Sequence, residues 1–144
     1  MERIWLQNYT QGIPAEVDTH EFASLAAVLL RSCQRHASLP AYSNMGASIS
    51  YAELERSSRD FAAYLQQTLG LKKGDRVALM LPNLLQYPVA LFGVLRAGLV
   101  VVNVNPQYTL TELADQLKDA GRSPFWCWRT SPTRCSRCWS ATWR

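Results

Sequence analysis

Apolar and polar positions change period several times along this chain, and each change predicts an element. Phe22, Leu25, Ala26, Leu29, Cys33 and His36 recur in steps of three and four, the spacing of one helix face over 22–36. Thr19 stands where an N-cap for that helix is expected. Ala41–Met45 and Ala47–Ser50 read as two short strands folded about Gly46, a hairpin. Ser50-Tyr51-Ala52-Glu53 has the form of a capping box, in which hydroxyl and carboxylate each bond the other residue's backbone N–H. Leu54, Phe61, Leu65 and Leu69 then share a helical face, and Gly70 occupies the left-handed position that closes a helix.

The second half predicts alternating strands and helices. Lys72-Lys73-Gly74-Asp75 is a turn, and Arg76–Leu81 a strand whose Val77-Ala78-Leu79-Met80-Leu81 run is apolar on both faces. Such a strand fits a parallel sheet covered by helices. Pro82-Asn83 ends it. A helix is expected from Leu85 to Ala97, with Tyr87, Leu91, Val94 and Leu95 on its buried side and Pro88 in its first turn. Gly98 closes that helix, and Leu99–Val104 reads as a second strand buried on both sides. After the Asn105-Pro106 turn, Thr109-Leu110-Thr111-Glu112 is another capping box, with Leu110, Leu113, Ala114 and Leu117 as the next apolar stripe. Strand, helix, strand, helix is a βαβ arrangement, so the expected class is α/β: the start of a layered, mostly parallel sheet flanked by helices, incomplete in this chain.

Composition changes this picture at one point. The chain has 144 residues, 48% of them hydrophobic, enough for one modest core. No run of about 18 apolar residues occurs, and Met1-Glu2-Arg3-Ile4-Trp5 lacks the layout of a secretory signal, so a cytoplasmic protein is expected. Residues 1–120 carry ten Lys/Arg against eleven acids, a net of −1, whereas 121–144 carry five Arg and no acid, a net of +5. Four of the five Trp and three of the four Cys also follow Gly121. The basic excess that would suggest a nucleic-acid or membrane partner therefore belongs to the tail alone.

That tail, Arg122–Arg144, shows no helical or strand period. Trp has one codon and Cys two, so part of the neighbouring reading frame is fixed. Starting each codon on the third base of the preceding one, Phe125-Trp126 must give Leu, Trp126-Cys127 Val and Cys127-Trp128 Leu. Arg134-Cys135, Arg137-Cys138 and Thr142-Trp143 give only Leu, Val or Met, and Cys138-Trp139 gives Leu. The compelled apolar sites form an adjacent triplet, then a set spaced i, i+3, i+4, i+8: a buried strand followed by an amphipathic helix. A frameshift is the preferred reading, with 1–121 a genuine domain beginning and 122–144 an out-of-frame, disordered tail.

Several phrases resemble a known family. Leu69-Gly70-Leu71-Lys72-Lys73-Gly74-Asp75-Arg76-Val77-Ala78-Leu79-Met80-Leu81-Pro82-Asn83 resembles an early block of the adenylate-forming, AMP-binding acyl-CoA synthetases. Gln86-Tyr87-Pro88-Val89-Ala90-Leu91-Phe92-Gly93, Arg96-Ala97-Gly98, Val101–Pro106, Tyr108-Thr109 and Glu112-Leu113 continue it. Ile4-Trp5-Leu6 and Asn44-Met45-Gly46 resemble the bacterial long-chain fatty-acid–CoA ligases in particular, and the likeness runs over about residues 3–121.

The resemblance implies that a complete enzyme uses ATP, Mg²⁺, CoA and a long-chain fatty acid, passing through an acyl-adenylate, in the cytoplasm or peripherally at the inner membrane. No specific nucleic-acid partner is implied. The family's Ser/Thr/Gly-rich phosphate loop, its Tyr-Gly-x-Thr-Glu segment, its ribose-binding Asp and its C-terminal catalytic Lys lie downstream in the family and have no counterpart here. No catalytic, cofactor-binding or metal residue is therefore expected in this chain, which should be inactive alone. The alternatives are a truncated α/β binding or regulatory module whose Arg/Trp tail binds RNA, a membrane or a protein, and a nonfunctional gene product.

Individual residues are weighed in the same way. Lys72 and Lys73 between Gly70 and Gly74 lack P-loop spacing, and a solvated turn is preferred. Cys135 and Cys138 form half a zinc motif without a second pair, and Cys127, His20 and His36 have no metal spacing. His36 reads as a core-boundary residue, Asp75 and Arg76 as flanks of a strand start, and Tyr51, Phe61 and Tyr64 as core or core edge. Asn103 and Asn105 stand at the carboxyl end of a strand, where α/β sheets bind ligands, and are the weak candidates for a site. The missing neighbour of the sheet predicts poor solubility.

Overall fold

The computed structural model describes residues 3–121 and the backbone of Phe125–Cys127. A 3-10 turn at Ile4–Asn8 and an exposed segment lead to helix α1, Leu25–Arg35. Its cap is Ser24 rather than Thr19: the Ser24 backbone is extended and its hydroxyl accepts from Ala27 N–H at 3.2 Å. Phe22 therefore lies outside the helix, beneath the Arg31 guanidinium at 4.3 Å, while Arg31 pairs with Glu21 at 2.7 Å.

Strands β1 (Pro40–Asn44) and β2 (Ala47–Ser50) form the expected antiparallel hairpin. Its two-residue turn puts Met45 and Gly46 at φ 48° and 79°, the paired positive values of a turn that follows the strands' twist. Both capping boxes form. Ser50 and Glu53 open α2 (Tyr51–Ala63), and Thr109 and Glu112 open α4 (Leu110–Asp119). Beyond α2 the helix widens into a π-type turn over Tyr64–Thr68 before Gly70, at φ 66°, reverses the chain.

The parallel sheet places β3 (Arg76–Met80) between β4 (Val100–Asn103) and β5 (Phe125–Cys127). Helix α3 (Gln86–Arg96) connects β3 to β4, giving the expected βαβ unit and an α/β fold. Val77, Ala78 and Leu79 are 0–1% exposed, which makes β3 the sheet's doubly covered centre. Around it, Phe61, Leu65, Leu81, Val94 and Leu99 form the main core. A smaller cluster of Leu29, Cys33 and Leu54 joins α1 to α2 beneath the hairpin.

Three sequence expectations change. β4 is an edge strand among the described residues, with Val100 45% exposed, rather than a strand buried on both sides. On α3, Ala90, Gly93 and Val94 are buried, while Tyr87, Leu91 and Leu95 are only partly so. The face turns because α3 lies close against α2: a Cβ on Gly93 would stand 2.6 Å from Phe61 Cδ1. The α4 stripe is amphipathic but shallow, with no residue fully buried and Leu110 68% exposed.

The tail is expected to lack regular structure. Phe125–Cys127 nevertheless form a strand, pairing Ala78 with Phe125 and Met80 with Cys127. The expectation for the rest of the tail lies outside the described residues.

Candidate functional site

At the carboxyl end of β4, Asn103 is brought together with Tyr87 and Gln116. Asn103, the last residue of β4, is held by two helices. Tyr87 in the first turn of α3 donates its hydroxyl to Asn103 Oδ1 at 3.0 Å, and Gln116 on α4 donates from Nε2 to the Asn103 carbonyl at 2.9 Å. Among the described residues, Gln116 Oε1 is buried without a hydrogen-bond partner. Asn44 at the hairpin tip donates from Nδ2 to the Asn83 carbonyl after β3, tying the small sheet to the large one.

Asn105, the second candidate, serves its own turn, with Oδ1 accepting from Gln107 N–H at 3.0 Å. The cluster is thus made of amides and a phenol: it can orient and hydrogen-bond, and it offers no nucleophile or acid–base pair. Tyr87 and Gln116 were missed in the sequence because both sit among apolar neighbours on helix stripes, with no local spacing that links them to Asn103.

The remaining residues take structural places. His36 is exposed at the C-cap of α1, not at the core boundary, with its ring tilted against Tyr51 at 5.9 Å. It is left outside because α1 has completed its buried face at Cys33. His20 is exposed, its backbone N–H bonded to Asp18 Oδ1. Lys72 and Lys73 are exposed in the turn, where Asp75 accepts from Lys72 N–H at 2.8 Å. Arg76 reaches the Ala120 carbonyl at 2.9 Å, fastening the start of β3 to the end of α4. Phe61 is buried, with Tyr51 and Tyr64 at the core edge. Cys135 and Cys138 lie outside the described residues, as does the Cys127 side chain.

One polar constellation had no sequence signal. Arg96 is only 14% exposed and reaches Glu55 at 3.0 Å, with Ser58 Oγ at 3.4 Å. These groups lie about forty residues apart in the chain, so no helical spacing reveals them. Burial pushes the nearby Cys33 thiol up, Glu55 adds to that, and Arg96 opposes it. The result is a protonated, packed sulfur.

Among the described residues, no group of three or more His, Cys, Asp or Glu side chains could hold a metal ion, and no helix is long and apolar enough to cross a membrane.

What the fold belongs to is decided by comparison. The family model described as AMP-binding enzyme matches residues 29–130. The chain belongs to the AMP-binding enzyme family. Within that family it is 58% identical over 121 residues to a long-chain-fatty-acid–CoA ligase of Yersinia pestis, covering 84% of this chain and 22% of the relative. It is 57% identical over 123 residues to one from Escherichia coli O157:H7, covering 85% of this chain and 22% of that protein. The solved Mycobacterium tuberculosis fatty acyl CoA synthetase superposes with a TM-score of 0.66 at 27% identity, covering 71% of this chain and 20% of that one. The chain therefore spans about a fifth of the length of these AMP-binding relatives.

Proposed function

We propose that residues 1–121 are the opening part of a long-chain fatty-acid–CoA ligase. The carrying observation is the 57–58% identity, over 121–123 residues, to ligases of that specificity. In the complete enzyme a fatty-acid carboxylate attacks the α-phosphorus of ATP, and pyrophosphate leaves. The CoA thiol then attacks the acyl carbonyl, and AMP leaves. Mg²⁺ supplies charge neutralisation on the phosphates and is held, with ATP, by the part of the enzyme that lies beyond the matched stretch. The enzyme works in the cytoplasm or peripherally on the inner-membrane surface.

The present residues contribute framework. β3 and α3 carry the sheet, and the Tyr87–Asn103–Gln116 contacts fix the carboxyl end of β4. By this reading the 144-residue chain is inactive alone.

The same reading takes 122–144 as an out-of-frame tail. Two features support it. The charge balance turns from −1 to +5 at Gly121. The strand β5 also falls on Phe125–Cys127, where the neighbouring frame compels Leu, Val and Leu.

The test is a thioester-formation assay with oleate, ATP, Mg²⁺ and CoA, run beside sequencing of the gene. The chain as it stands should give no acyl-CoA, and the frame-corrected gene product should turn over. A gene whose confirmed frame encodes this tail, or turnover by the 144-residue chain, would overturn the proposal. Saturable RNA binding without ligase activity after frame correction would instead favour a binding module.

A further inference from the structure

We draw no further inference here: the strongest candidate, the side-chain cluster of Asn44, Tyr87, Asn103 and Gln116 at the carboxyl ends of β3 and β4, belongs to the site already described, and nothing in the structure shows what it would hold.

Discussion

Met45 holds a left-handed backbone at φ 48° with a side chain 94% exposed. A β-carbon at that φ costs roughly 1 kcal/mol, and exposure leaves little contact to repay it. Met45→Asn, which restores the Asn-Gly pairing favoured in such turns, should stabilise the chain by about 0.5–1 kcal/mol. A urea midpoint that does not rise would mean the methionine is held by a contact its exposure conceals. Gly93 is the opposite case. Alanine there gains about 1 kcal/mol of helix propensity but meets Phe61 Cδ1 at 2.6 Å and the Ser58 carbonyl at 3.0 Å, and overpacking costs about 1–3 kcal/mol. Phe61 is 3% exposed, so its ring has nowhere to move. Gly93→Ala should lower the melting temperature, and an unchanged one would show that α2 and α3 can separate. Met45-Gly46 was legible as a turn because Gly46 punctuates two strand-like runs. The close approach at Gly93 was not, because a helix glycine carries no local mark of what lies opposite.

Elements were most legible where short-range hydrogen bonding fixes them. Both capping boxes could be read as four-residue phrases, and both form with carboxylate oxygens 2.7–2.8 Å from the cap hydroxyl and backbone N–H. Those bonds favour the charged form. The Ser50 backbone N–H, then its hydroxyl, holds Glu53 below the ordinary 4.5, and the Thr109 hydroxyl, then its backbone N–H, does the same for Glu112. A carboxyl whose folded value is lowered contributes stability that is complete above its unfolded value and is lost as pH falls through the folded one. The starts of α2 and α4 should therefore stay intact down to about pH 4.5 and loosen only below it. Carboxyl-carbon NMR titration checks this: both midpoints should lie below 4.5, and Ser50→Ala and Thr109→Ala should raise their own partner's midpoint alone. What short-range reading missed was depth. The β4 run of valines has the composition of a central strand, but burial is set by neighbours distant in sequence, and among the described residues β4 has one on a single side.

At the scale of the whole molecule, the tail joins two opposed effects. It carries five Arg and no acid, so removing residues 122–144 leaves a body of slight negative charge and should abolish retention on a heparin column at low salt. Yet its Phe125–Cys127 strand covers the side of β3 that β4 does not, pairing Ala78, Leu79 and Met80. Cutting after Gly121 therefore leaves the sheet's most buried strand with an unpaired edge, and such an edge recruits other chains. The shortened chain should show faster amide exchange on the outward groups of β3 and more light scattering on heating, despite losing its most basic segment. The alternative expectation, that the tail merely adds charge, predicts a better-behaved product after truncation. Scattering and exchange measured side by side separate the two, because the charge effect fades with added salt while the loss of strand pairing does not.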